Sequence, residues 1–396
     1  MSLEDELLKI PAVQEKTYSK GSRTWDFTVE PAPHDQKTQS ISMSSTENLK
    51  TEDDWTQAVK DMGGIVADGY RVRLVEMRHQ THGWTREKHG EDATTKPTWW
   101  YRFAVEPAVD QHKVDDLVKM IQRKKPAPAV RSTGPTVFHF LAGDLQLGKM
   151  DGDGSEGIIA AFMASVDNAV SDFIRLAKTE EIGIVHIAFL GDCIEGNQSQ
   201  NGRNMWRTKL TVTEQTRILR RLIQYTIDSF YKRVARVEVS VVNGNHDEMQ
   251  RFQATRGDDG HATEAAITVA DALLMNPAAY GHVQVYVPNV DSTYMTREIG
   301  SSTFTMAHGH QWNKGKGMDW WAGQAFNWHA AGAAQFLLHG HFHTASWDTK
   351  KERTEFCVPT FESESTWYKE RHGDMSRRGG IVMTTRDGEF ANFRIV

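Results

Sequence analysis

Residues 237–248 read VEVSVVNGNHDE. Val237, Val239, Val241 and Val242 around a small Ser240 have the composition of a strand buried on both faces, as in a parallel sheet covered by helices. The run then stops at a glycine flanked by amide, imidazole and carboxylate side chains: Asn245, His246, Asp247. A buried strand that ends in a tight turn bearing groups able to ligate a metal or carry a proton is how open α/β sheets present a site, outside the carboxyl ends of the strands. Working outward, the same pattern recurs four times. VFHFLAGDLQLGK (137–149) and GIVHIAFLGDCIEGN (183–197) precede it, and STFTMAHGH (302–310) and QFLLHGHFH (335–343) follow it.

Between the first three strands lie residues 156–179, with Ile158, Ile159, Phe162, Val166, Val170, Phe173 and Ile174 at helical spacing, and a second helical stretch over about 209–234. Alternation of strand and helix predicts a parallel α/β core. Beyond about residue 280 come short strand candidates, VQVYVP, STFTMAHGH, QFLLHGHFH, TEFCVP, GIVMTT and FANFRIV, interrupted by one helical stretch over 319–334. The fold class is therefore mixed α/β, with sheets packed together between helices. The first 130 residues differ. Residues 30–54 are polar and Ser/Thr-rich, as expected of a loop, around strand-like runs at 70–77 and 99–105. The stretch 126–135, PAPAVRSTGP, predicts a linker. A smaller N-terminal α+β domain over 1–130 and a second domain over 136–396 follow.

Composition narrows the field. The 396 residues carry 46 Lys+Arg against 52 Asp+Glu, a net charge of −6, so contact with nucleic acid needs a local patch. Residues 201–236 supply one, with nine Lys/Arg against two acids. Arg217, Arg220 and Arg221 fall at helical spacing within it and can form a cationic stripe. Only Cys193 and Cys357 are present, which excludes a disulfide framework and a cysteine zinc finger. No run approaches 18 apolar residues and the start, MSLEDELLKI, lacks a signal-peptide pattern, so a cytoplasmic protein without a membrane partner is expected.

The ordered set of strand-end motifs, GD, GD, GNHD, H and GHxH, resembles the calcineurin-like metallophosphoesterases. Asp144, Asp192, Asn245, His308 and His341 follow one another at intervals of 48, 53, 63 and 33 residues. The resemblance implies a β-sandwich flanked by helices and two divalent metal ions, manganese first, with iron(II) or zinc as alternatives. Carried over residue by residue, it gives one ion Asp144, Gln146, Asp192 and His343, and the other Asp192, Asn245, His308 and His341. Asp192 would bridge the two, with a hydroxide shared between the ions attacking phosphorus. His246 would serve the scissile phosphate, with Asp247 orienting its ring. The family's first motif usually reads Asp-x-His, whereas Gln146 stands here; an amide oxygen is a weaker ligand than imidazole, so that ion should bind less tightly.

Within the superfamily, GDCIEGNQSQ resembles the second motif of DNA-repair nucleases, and DLQLGK resembles the first motif of bacteriophage-encoded phosphoesterases. These likenesses imply a hydrolase acting on phosphoester bonds, with DNA as substrate and nuclease action, in the host cytoplasm if phage-encoded. An extra domain placed in front is similar to the small subunit of the archaeal D-family polymerase and unlike the repair-nuclease plan. A phosphatase or phosphodiesterase on nucleotides or another small phosphoester, or a weakly active DNA-binding subunit, is the alternative. An ATPase or polymerase partner and a homodimer both stay open. His310 is a candidate substrate contact. His139, His186 and His282 lie in apolar runs and read as packed residues, as does Cys193, while Asp151, Asp153 and Glu156 read as a polar turn. Trp321, Ala325 and Trp328 read as one buried helix face, and Trp312 and Trp320 are left open between core and base stacking.

Overall fold

The computed structural model describes residues 114–128, 132–197, 208–250, 255–363 and 377–396, and within the preceding stretch 18–19, 24–25, 28–31, 39–45, 48–61, 66, 70–83 and 96–107. The chain divides into two units, Met1–Lys113 and Val114–Val396.

The first unit holds β1 (Tyr18–Ser19), β2 (Thr24–Trp25), β3 (Thr28–Pro31), β4 (Gln39–Ser45), α1 (Glu52–Asp61), β5 (Tyr70–Gly83) and β6 (Lys96–Pro107). Its antiparallel sheet runs β3-β4-β6-β5. The expected polar loop over 30–54 is corrected here, since β4 and the start of α1 fall inside it. In QSISMSS the two apolar residues, Ile41 and Met43, are both buried, and Ser42 and Ser44, which alternate with them, are half-buried. Two apolar side chains at period two are enough for a strand, although an average over the segment reads as polar. They pack with Ala58, Val59, Val72, Tyr101, Phe103 and Val105.

The second unit begins earlier than the sequence suggests. Helix α2 (Val114–Gln122) buries Leu117 and Ile121 in the main core of this unit. The 126–135 stretch is no free linker either: the Ala127 amide donates to Ala278 O, and Ser132 bridges to Val234. Then follow β7 (Thr136–Ala142), α3 (Gly154–Leu176), β8 (Ile182–Leu190), α4 (Val212–Phe230), β9 (Arg236–Val242), α5 (His261–Leu273), α6 (Pro277–Tyr280) and β10 (Val283–Tyr286). The remaining elements are β11 (Met295–Ile299), β12 (Ser302–Met306), α7 (Gly317–Phe326), β13 (Phe336–His339), β14 (Ser346–Lys350), β15 (Arg353–Cys357), β16 (Ile381–Arg386) and β17 (Glu389–Ile395).

These strands make two sheets. One runs β10-β9-β8-β7-β16-β17, with β7 to β10 parallel and β16 and β17 antiparallel; the other runs β11-β12-β13-β15-β14. Alternate side chains of β7 and β8 serve opposite faces. Val137, Leu141, Ala188 and Leu190 meet Phe304, Met306, Phe336 and Phe356 of the second sheet. Phe138, Phe140, Ile187 and Phe189 face α3, α4 and α5. Fully buried strands flanked on both sides explain the near-continuous apolar runs. The outer face of the second sheet is covered by α7, through Met318 and Trp321 packed with Leu337. The result is a helix–sheet–sheet–helix sandwich, the architecture that the sequence resemblance implies.

Local chemistry sets the helix limits. Helix α4 starts at a capping box, in which the Thr211 side chain accepts from the Glu214 amide and the Glu214 carboxylate accepts from the Thr211 amide. Among the described residues α3 is long and apolar enough to cross a membrane, yet its Ile158, Phe162, Val166, Ala169 and Phe173 are buried against the sheet. The expected helix over 319–334 stops at Phe326. Trp328 takes a φ of 59° and is 93% exposed, so only Trp321 of the expected face is buried. Trp312 packs on Trp320 and edge-on to His339, so its ring belongs to the core.

Three histidines in apolar runs are packed as expected. Inside the sandwich His139 and His186 meet through their Nδ1 atoms at 3.0 Å, and their Nε2 atoms reach Thr385 and Ser240. Burial pushes His139 down to about 3, so the pair is neutral. His282 bonds the Tyr231 carbonyl. Phe162 joins α3 to the sheet through ring contacts with Phe140, Phe189 and Phe361. Phe162→Ala should therefore lower the unfolding free energy by about 3–5 kcal/mol, read from urea denaturation; a loss under about 1 kcal/mol would contradict this packing.

Candidate metal centre

Five of the seven ligand candidates share one backbone peculiarity. Asp144, Gln146, Asp192, His341 and His343 have φ between 47° and 73°. Non-glycine residues seldom enter this left-handed region, each at a cost of about 1–3 kcal/mol, and such strain gathers at functional sites. It turns each chain sharply out of its strand, so that successive loops point at a common centre. The loops then hold one another. The Asp144 amide donates to Gly191 O, the Gln146 amide to Asp192 O and the Gly340 amide to His308 O. The His341 amide donates to Asp144 Oδ2, and the His246 amide to Asp192 Oδ1. Gly340 is required by this closeness, since a Cβ there would lie 2.5 Å from Asp144 Oδ2.

The side chains converge as the sequence predicts. Ligand atoms of Asp192, His308 and His341 lie within 4.8 Å of one another. His308 Nδ1 donates to the Leu190 carbonyl, 2.8 Å away. In the neutral ring this leaves a lone pair on Nε2, which sits 3.0 Å from Asp192 Oδ2 and 3.2 Å from His341 Nδ1. A ring nitrogen fixed through its partner nitrogen and aimed at a carboxylate is the arrangement of a metal-ligating histidine. On the other side His343 Nδ1 bonds Glu362 Oε1 at 2.7 Å, and its Nε2 lies 3.4 Å from Asp144 Oδ1.

Two observations bear on whether these residues suit divalent cations. Asp144 Oδ1 and Asn245 Oδ1 are buried oxygens without a hydrogen-bond partner, a costly state that a cation would relieve. The field points the same way. Despite burial, Asp192 and Asp144 pull His308 up, and Asp144 and Glu362 pull His343 well up. Burial and the nearby His308 push His341 down to about 4, which keeps its ring available as a neutral ligand. The carboxylate, imidazole and amide donors suit manganese, iron(II) or zinc. Asp192, His308 and His341 bring their ligand atoms together, and Asn245, next to His246 whose amide bonds Asp192, adds a buried oxygen that makes no hydrogen bond. In the Asp144, Gln146 and His343 half, the Gln146 amide oxygen already accepts from Lys149 Nζ at 3.0 Å.

The expected pairing of Asp247 with His246 is corrected. Asp247 is fully buried, and its carboxylate accepts from the Cys193, Ile194 and Gly244 amides at 2.8–3.3 Å. It clamps the Asp192 loop onto the GNHD turn. Glu195 takes the place at the imidazole: its carbonyl and its Oε2 lie 3.2 and 3.3 Å from His246 Nδ1. Against the effect of burial, Asp192 and Glu195 raise His246 to about 9, so near neutral pH the ring is a cation beside Asp192. Burial and Asp192 raise Asp247 to about 7. His310 lies in the wall of the site, with its ring centroid 5.6 Å from that of His308 and 6.3 Å from that of His341.

The arginine stripe is only partly realised. Both Glu264 oxygens hold Arg220 at 2.6–2.7 Å, Arg217 is half-buried and Arg221 is exposed. Helix α4 nevertheless starts against the site loops, because Gln215 bonds the Gly196 amide and the Lys209 amide donates to Gly148 O. Arg203 and Arg207 lie outside the described residues. Three residues missed in the sequence join the centre. Glu195 had a signal, as an acid three places after Asp192, and Lys149 closes the DLQLGK motif; Glu362 had none.

No protein-family model matches the chain, and a search of curated proteins finds no match. Among solved structures the chain is similar to wild-type Vps29 of Entamoeba histolytica complexed with zinc, at 14% identity over 64% of this chain and 88% of that one, TM-score 0.30. It is also similar to an archaeal phosphodiesterase, at 11% identity over 65% and 99%, TM-score 0.30. A predicted phosphoesterase of Streptococcus pneumoniae is similar at 12% identity over 64% and 84%, TM-score 0.28.

His308→Ala should remove at least one manganese ion per chain in calorimetric titration of the folded variant. An unchanged stoichiometry would exclude the cluster as a metal site.

Proposed function

We propose that the chain is a metal-dependent phosphodiesterase whose substrate is DNA. The observation that carries the phosphoesterase reading is the cluster of Asp192, His308 and His341, with Asp144 against His343, beside a cationic histidine and a buried Asn245 Oδ1 that makes no hydrogen bond. Divalent ions bound there would supply Lewis acidity and a water of lowered pKa. Asp192, between the two halves, would set their spacing. His246, held through Nδ1 by Glu195, offers its Nε2 proton to the leaving oxygen or stabilises charge on the phosphate. Support for DNA comes from the resemblance of the second motif to repair nucleases and from the basic segment that starts at the site rim with Lys209 and continues to the exposed Arg221.

Single- and double-stranded oligonucleotides incubated with manganese, beside an aryl phosphodiester, test this. Cleavage of DNA is expected. Turnover of the aryl ester with no action on either oligonucleotide would transfer the reading to a small phosphoester. Asp192→Asn should abolish turnover, while His246→Ala should leave metal content intact and slow turnover by about 100-fold or more. Equal metal loss in the two variants would refute that division of labour. Arg217→Gln with Arg221→Gln should flatten the salt dependence of oligonucleotide binding by about 0.7–0.9 in log–log slope for each phosphate that these arginines neutralise. Aryl ester turnover should not change, and an unchanged slope in the folded variant would remove the segment from the DNA path.

A further inference from the structure

The two halves of the centre differ in one respect that the ligand set does not reveal. Beside Asp144, Gln146 and His343 stands Lys149, whose side chain is 12% exposed. Its ammonium donates to Gln146 Oε1 and pairs closely with Glu362 Oε2. Glu362, 4% exposed, uses its other oxygen to hold His343 Nδ1. A single buried chain of contacts thus runs from Gln146 through Lys149 and Glu362 to His343 and on to Asp144 Oδ1. In the Asp192, Asn245, His308 and His341 half, among the described residues, no ammonium bonds a ligand oxygen: the cationic His246 ring stands 3.9 Å from Asp192 Oδ2, and His308 is fixed by a neutral carbonyl.

We propose that Lys149 is a built-in cation that keeps the Asp144–Gln146–His343 half weak for a divalent ion, so that the chain holds one ion tightly and takes up the second only together with an anionic phosphate. This rests on the metal-centre reading above. An ammonium hydrogen-bonded to a ligand oxygen draws electron density from it and repels a divalent ion a few ångströms away, with little screening in a buried site. Glu362 offsets this charge from the far side of the ammonium, which itself stands directly on the ligand oxygen Gln146 Oε1. A phosphate oxygen adds negative charge and a ligand where Gln146 is weak, which restores the balance. The presence of Gln146 where the family has histidine and the presence of Lys149 are then one device: an amide oxygen has lone pairs to accept the lysine hydrogen bond and still ligate, whereas an imidazole nitrogen has a single lone pair.

Manganese titration by calorimetry and by electron paramagnetic resonance tests this on the full chain. The parent should bind one ion tightly, and inorganic phosphate should bring in the second. Lys149→Met should tighten the second ion at least about tenfold without phosphate, equivalent to about 1.4 kcal/mol, while Lys149→Arg should keep the parent's titration. Two equally tight ions in the parent overturn the proposal, as does a second ion indifferent to phosphate or to Lys149→Met. The phosphate measurement needs no variant, so a second ion indifferent to phosphate overturns the proposal even if Lys149→Met fails to fold, and Lys149→Gln then tests the charge in its place. Absence of any tight ion in the parent would overturn the metal-centre reading as well, which separates the two failures.

Discussion

The centre depends on backbone forced into the left-handed region at the strand ends. Asp144, Gln146, Asp192, His341 and His343 would each relax if its loop were alone. They are held by bonds to one another's loops: Asp144 alone binds the Gly191 carbonyl through its amide, the His341 amide through its carboxylate, and the Thr360 hydroxyl through its carbonyl. Strain is sustained collectively, and the side chains arrive preorganised because the backbone cannot retreat. The sandwich supplies the stiffness. With β7 and β8 buried on both faces, a shift of one strand end would disturb packing on two layers at once.

Much of this was legible in the sequence because the core strands are near-continuous apolar runs and each ends in a glycine next to a chemical residue. The order of helices and strands from 136 to 396 and the gathering of Asp192, His308 and His341 follow from that pattern. What was not legible has a physical cause in each case. Asp247 is next to His246 in sequence and Glu195 is 51 residues away, and only the fold decides that the first serves backbone amides while the second reaches the ring. Glu362 follows a buried strand in VPTFES, without a neighbouring motif, and enters only because the turn after β15 sets it beside the loop that leaves β7.

The N-terminal unit was harder for the opposite reason. Strand β4 carries one buried face, with Ile41 and Met43, and the residues that alternate with them, Ser42 and Ser44, are polar. An average over such a segment looks like a loop, while alternation identifies it. At the boundary, proline and alanine in 126–135 suggest a joint, but the preceding helix has already committed Leu117 and Ile121 to the second unit. Proline punctuates a chain; burial decides where a unit begins.

The order of strands in the six-stranded sheet has a consequence for synthesis. Strand β7, which carries the first motif, is flanked by β8 on one side and by β16 on the other. As the chain leaves the ribosome, β7 to β10 can pair in parallel while one edge of β7 stays open for some 240 residues more. Closure comes with Thr385 on β16, which pairs with Val137 and bonds the buried His139. When β10 has just emerged, His308, His341 and His343 have yet to be made, and the Asp144 carbonyl still lacks Thr360. The candidate ligands from the two sheets are thereby kept apart until His343 and Thr360 have been made.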